Sequence, residues 1–213
     1  MGALVNGFPP GEAAYAPTIE TLLRRYAEAL APWAEATAAR MLVDVNRRDE
    51  AAWMEQAQEL SRALREEIRT APTGATMRAL MAEQVGLIQS IPLEAAQRVH
   101  ELTIAGVENS QRAGEISKAI QASGEVAKSR ADLIARTEVA RTASTLTQAR
   151  ALHIGSTGYI WRTSGDSDVR ESHRKMNGQF VAWDDPPTLD KMTGHAGAFP
   201  NCRCYPEPVI PED

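Results

Sequence analysis

The sequence predicts an α+β protein in which an extended, mostly helical N-terminal region precedes a small C-terminal α+β module. Three observations predict this. Apolar residues recur at helical spacing from Pro17 to the neighbourhood of His153. That periodicity stops at Gly155, a residue suited to the left-handed turn that ends a helix. The β-branched and aromatic run Thr157–Thr163 follows, and it reads as a strand.

Taken in order, residues 1–16 are rich in Gly, Pro and Ala and read as a loose arm. Pro17 suits a first helical turn, and Ile19, Leu22, Leu23, Tyr26 and Leu30 follow at helical spacing. Pro32 breaks or kinks that run. A second stretch carries Trp33, Ala36, Ala39, Arg40, Leu42 and Val43. Asp49 is placed to cap a third helix holding Trp53, Met54, Ala57, Leu60, Leu64 and Ile68, which ends before Pro72. Separate helices are expected over Thr76–Gln89, over Pro92–Asn109, over Gly114–Ala122 and, the longest, over Gly124–His153. After the first strand come a turn at Ser164–Asp168, a short helix over Val169–Met176, a turn at Asn177-Gly178 and a strand over Gln179–Trp183. Asp184–Pro200 reads as loop, and Cys202–Pro206 as a last short strand before an extended, proline-spaced tail. The predicted organisation is an arm (1–16), a helical region (17–113) and a C-terminal domain (114–213) whose compact module begins near 156. A module that small needs reinforcement from docking, a disulfide or a metal.

Composition sets bounds. The hydrophobic fraction of 43% supports a packed core, and abundant alanine favours helices that approach closely. A net charge of -5 opposes a general nucleic-acid coat. No apolar run is long enough to span a bilayer, and MGALVNGFPPGEAAYAP lacks the basic and apolar segments of a secretory signal, so the host cytoplasm is the expected compartment. The two cysteines, Cys202 and Cys204, are one residue apart, a spacing that rarely meets disulfide geometry, so they are expected reduced.

The informative residues lie in the last part of the chain. Ala135-Arg136-Thr137-Glu138 and Arg141 sit on the long helix. Trp161, Thr163 and Asp166 follow, then Arg170 with His173, then Gly178, and finally Asn201-Cys202-Arg203-Cys204. This ordered set, from about Ile116 to Tyr205, resembles the phage Mu F-like minor head proteins, the phage head morphogenesis family. The resemblance implies a structural virion protein rather than an enzyme. It implies a position inside the capsid near the portal vertex, assistance in head assembly or in genome packaging and ejection, and the portal and major capsid proteins as partners. Packaged double-stranded DNA is a further partner to consider. Arg136, Glu138, Arg141, Trp161, Asp166, Arg170, Gly178 and Asn201 are then motif residues with structural roles.

The residues also carry chemistry of their own. Glu138 and Arg141 share a helix face, either as a solvated pair or as a polar clamp to the C-terminal module. His173, Cys202 and Cys204 offer an imidazole and two thiolates, a zinc-class donor set, with His195, Asp166 or Asp168 available as a fourth ligand. The competing reading is a pair of buried thiols beside a structural histidine. Family members carrying Cys-x-x-Cys at the positions of Arg170 and His173 look like zinc binders, and Arg170 here replaces one such ligand. No other cofactor is indicated. On either reading the two thiols and His173 are expected close together within the module.

His153 suits a helix C-terminus, and His100 reads as a packing or surface residue. Trp33, Trp53, Trp161 and Trp183 read as core anchors. Arginines and lysines from Lys118 to Lys175 interleave with acids, as on a mixed-charge surface. The enzymatic alternative is a small metal-dependent nuclease or toxin-like enzyme built on His173, His195, Asp166, Asp168 and Asn201. Against it, the sequence has no nucleophile elbow, zincin helix, P-loop or paired-carboxylate motif. The helical region is expected to dock on the portal or capsid wall, and the C-terminal module to fold without residues 1–110.

Overall fold

The computed structural model describes residues 16–56, 62–109, 111 and 113–211. The expected arm falls almost wholly outside them. Helices α1 (Ala16–Ala29), α2 (Ala31–Gln56), α3 (Arg62–Thr70), α4 (Thr73–Glu108) and α5 (Ala113–His153) come first. They are followed by β1 (Gly158–Arg162), α6 (Glu171–Met176), β2 (Phe180–Ala182), β3 (Thr188–Leu189), β4 (Met192–Thr193) and β5 (Tyr205–Pro208). Every strand among the described residues lies beyond Gly155, so the architecture is α+β as expected.

Several expected boundaries are absent, each for a physical reason. Asp49 caps nothing: α2 runs through it, and it lies on the buried stripe Ala38, Leu42, Val45, Asp49, Trp53. Trp33, expected as a core anchor, is exposed, as is Val43. Pro92 stands inside α4. An interior proline costs about 3 kcal/mol, but Pro92 continues a buried stripe through Ala95, Ala96, Val99 and Thr103, and burial of that stripe prevails. Likewise α5 is continuous through Ser123-Gly124, because one helical glycine costs only about 1 kcal/mol relative to alanine.

The described residues form two compact units. One comprises the chain up to Thr37 together with Glu83–Ile134. Its interior is built of small side chains, among them Ala27, Ala34, Ala95, Ala96 and Ala127, with Leu23 and Val99. Arg130 pairs with Glu94 at 2.6 Å, joining α5 to α4.

The second unit comprises Ala38–Ala82 and the chain from Ala135 onward. Its sheet has the order β2-β1-β5, antiparallel throughout, and β3 and β4 form a separate two-stranded hairpin. That hairpin lies in the segment expected to be loop. Pro206 and Pro208 alternate along β5 with the residues bonded to β1, and Val209 N donates to the Gly158 carbonyl at 2.9 Å. The proline nitrogens therefore face off the ladder, which leaves a sheet edge poor in donors and closed to strand addition. Helix α5 ends as expected: Gly155 has φ +80°, its N–H reaches the Leu152 carbonyl at 3.1 Å, and Ser156 N reaches Ala151 at 2.9 Å. Those two bonds are the paired contacts of a Schellman ending.

The core of this unit gathers Trp53 and Ile68 with Ile154, Tyr159, Trp161, Val181, Trp183 and Phe199. A buried ion pair ties the same elements together, Arg150 Nε to Asp49 Oδ2 at 2.8 Å. The C-terminal module thus takes part of its interior from α2 and α3. Deleting residues 1–110 would remove Asp49, Trp53 and Ile68 from that interior.

Candidate metal centre

The motif residues converge on one short closing segment, Phe199–Cys204. Helix α5 holds it from one side. Asn201, in the left-handed region at φ +53°, donates its N–H to Thr137 Oγ1 at 3.0 Å. Gly197, at φ +89°, lies so close to α5 that an added Cβ would stand 3.1 Å from Ser144 Cβ and 3.2 Å from the Ala140 carbonyl. On the same helix Glu138 is buried and pairs with Arg141 at 3.6 Å, while Arg136 is exposed. One link from this helix to the closing segment runs through Thr137, between Arg136 and Glu138.

The turn after β1 holds the segment from another side. Asp166 accepts from Asp168 N at 3.0 Å, an Asx turn, and Arg203 Nη2 reaches Asp166 at 2.8 Å and Asp168 at 3.3 Å. A hydrogen bond from Ser164, helped by Asp168 N–H and by Arg203, lowers the Asp166 pKa. Arg170 donates to the Pro200 carbonyl at 2.7 Å, so it anchors the segment where the resemblance suggested a lost ligand. Asn177, beside Gly178, accepts from Thr163 N at 3.1 Å and ties the end of β1 to the turn after α6.

Between these anchors lies a buried cluster. His173 Nδ1 is 3.4 Å from Cys202 Sγ and 3.5 Å from Cys204 Sγ, and the three donor atoms lie within 4.8 Å of one another. Trp161 and Phe199 close around the imidazole edge-on, with ring centroids 5.6 and 4.9 Å away. Cys202 is the more acidic thiol: hydrogen bonds from Cys204 lower it, opposed by burial and helped by Gly197 and His173. Cys204 moves the other way, raised by its bond to Cys202 and by burial.

The donor set fits a zinc-class ion. With metal–sulfur bonds near 2.3 Å and metal–nitrogen bonds near 2.0–2.1 Å, adjacent tetrahedral ligands stand about 3.5 Å apart. Both nitrogen–sulfur separations match that edge. The set provides three ligands among the described residues. His195, considered as the fourth, is placed elsewhere: Nδ1 lies 3.3 Å from the Tyr159 hydroxyl and Nε2 3.4 Å from Gln148. It packs edge-on against Trp183, and burial lowers its pKa. Asp166 and Asp168 belong to Arg203. The carboxylate that does approach the cluster, Asp190, was not singled out from the sequence.

A groove of about 1130 Å³ runs beside this segment, lined by Arg48, Ala52 and Trp53 of α2, Arg136 and Val139 of α5, and Asn201 to Pro206.

The model of the family described as phage Mu protein F like protein matches residues 97–206, just over half of the chain. An uncharacterized protein of Haemophilus influenzae is 33% identical over 132 residues, covering 62% of this chain. The matched region spans only 29% of that relative's length. No solved structure matches the chain. The match covers the residues that build the cluster, from the second half of α5 to the start of β5, and the chain belongs to the phage Mu protein F-like family of phage head morphogenesis proteins.

Proposed function

We propose that this protein is a structural, non-enzymatic component of a tailed-phage head, bound inside the capsid near the portal vertex. There it assists head assembly or genome packaging and ejection. Family membership supports the coarse reading. The observation that supports the non-enzymatic part is how the motif residues are used. Arg170, Asn201 and Arg203 hold the closing segment in place, with Asp166 and Asp168 engaged by Arg203. A nuclease centre needs oxygen donors free to hold a hard cation. Here Asp166 and Asp168 are paired with Arg203, and the converging donors are two thiols and an imidazole.

The partners in this reading are the portal protein and the major capsid protein. Exposed apolar side chains on the helices, Tyr26, Trp33, Leu93, Ile104, Val126 and Leu133, supply surface for such docking. With a net charge of -5, contact with packaged double-stranded DNA is local rather than general. Among the described residues no helix is long and apolar enough to cross a membrane. In the same reading His173, Cys202 and Cys204 hold a structural zinc-class ion. That ion joins the closing segment to α6 and reinforces the small core.

The full chain, expressed with its phage's head genes, provides the test. Purified heads should contain it in low copy number relative to the major capsid protein, and cross-linking in those heads should join it to the portal. Its absence from heads overturns the reading. So does divalent-dependent cleavage of DNA by the pure protein that disappears in His173→Ala.

A further inference from the structure

We propose that Asp190 is a positioning residue for this centre: it takes the Nε2–H of His173 and so turns the Nδ1 lone pair toward the two sulfurs. The inference rests on the metal reading of His173, Cys202 and Cys204, and it concerns how that site is oriented.

A neutral imidazole carries one N–H. If it sits on Nδ1, that atom faces the thiols as a donor and cannot ligate. If it sits on Nε2, Nδ1 is free to bind, but Nε2–H then needs an acceptor inside the core. His173 is 2% exposed, and its Nε2 is buried without a hydrogen-bond partner. Asp190 Oδ2 lies 3.7 Å from that nitrogen. This is longer than a hydrogen bond of about 2.9 Å, a gap that a half-exposed carboxylate crosses by side-chain rotation. Histidines that bind a metal through one nitrogen commonly donate to a carboxylate from the other, which fixes the tautomer and raises ligand basicity.

The backbone places Asp190 for this purpose. Asp190 and Lys191 link β3 to β4, with φ +51° and +67°. A two-residue hairpin turn with both central residues left-handed favours Asn-Gly or Asp-Gly. This chain keeps Asp in the first position but has lysine where glycine is preferred. The side chain is held from the other element as well: Ser172, the neighbour of His173 on α6, donates Oγ–H to Asp190 Oδ2 at 2.9 Å. One carboxylate oxygen therefore faces both α6 residues.

Cobalt(II) titration of the full-length chain against a chelator, with nitrogen-15 spectra of the histidines, tests this. Asp190→Ala should weaken cobalt affinity about 10–100-fold while keeping the absorption of a tetrahedral site. Asp190→Asn, whose amide oxygen still accepts, should fall between Ala and the native protein. The His173 spectrum should show protonated Nε2 in the metal-free native protein and a mixture of tautomers in Asp190→Ala. Lys191→Gly, which eases the same turn and keeps the carboxylate, should leave affinity unchanged. Equal affinity in Asp190→Ala and native protein overturns the role of Asp190 and leaves the metal reading standing. A native protein that binds neither cobalt nor zinc overturns the metal reading. The His173 spectra then decide Asp190 alone, and an unchanged tautomer in Asp190→Ala overturns it.

Discussion

Two residues of the same compact unit, Arg150 and His173, are each 2% exposed, and each draws polar atoms into an apolar interior. The two centres are finished differently. Every nitrogen of Arg150 has a partner: Nε bonds Asp49 at 2.8 Å, Nη1 the Ile68 carbonyl at 3.0 Å, and Nη2 Asn46 at 2.9 Å. The second oxygen of Asp49 takes the Thr147 hydroxyl at 2.5 Å. At His173 one nitrogen faces two sulfurs and the other makes no hydrogen bond, with Asp190 Oδ2 3.7 Å away. Charge is tolerated in a core when protein atoms complete its hydrogen bonds, and a centre left incomplete is one that an outside atom can finish. Burial still tells at the first centre. It raises the Asp49 pKa, and the bonds from Thr147 and Arg150 offset that only in part.

Breaking the complete centre should have the largest effect. Arg150→Ala strands a buried carboxylate and should lower unfolding free energy by about 3–5 kcal/mol in urea titration. Replacing the pair together, Arg150→Met with Asp49→Leu, should recover most of that loss. If Arg150→Ala costs under about 1 kcal/mol, the centre is not the closed network described here.

The packing that holds the thiols against α5 comes next. Gly197→Ala meets strain at φ +89° and a crowded wall, and should cost about 2–4 kcal/mol. Gly155→Ala has similar strain at φ +80° but nothing within 4 Å, and should cost about 1–2 kcal/mol. The difference between the two measures the close approach alone. Equal losses would mean the closing segment yields readily.

The smallest effect separates His195 from the thiol cluster. Burial depresses its pKa below 6.5, so the unfolded chain binds the proton more readily than the folded one. Its contribution to stability is complete above pH 6.5 and declines as pH falls through the depressed folded value. His195→Gln should flatten the stability profile below pH 6.5, read from melting temperatures. An unchanged slope would assign that window to another group.

Local rules made much of this legible. Helical periodicity up to Gly155, the strand around Trp161, the turn at Gly178 and the ordered motif set all follow from short-range pattern. The parts that were not legible depend on partners distant in sequence. Asp49 before an apolar run looks like a helix cap, and only Arg150, across the fold, shows it to be a buried ion-pair partner. Pro92 and Ser123-Gly124 look like boundaries because propensity favours one, and burial of the stripe through Pro92 outweighs it. The β3–β4 hairpin escaped because strands of two residues show no alternation and Asp-Lys is a poor turn signal. Asp190 went with it. The signal that could have found it is an acid set between two short β-branched or apolar pairs, Thr188-Leu189 and Met192-Thr193.

The central claim, that the His173 centre is finished by an atom from outside the chain, is tested most directly by native mass spectrometry. The full-length protein, purified without chelator, would be compared with Cys202→Ser under the same conditions. The account predicts a zinc-class ion, one per chain, in the native protein and its loss in the variant. Native protein carrying no metal, with stability unaffected by chelator and lowered by only about 1–3 kcal/mol in Cys202→Ser, would contradict it and leave the cysteines as buried thiols.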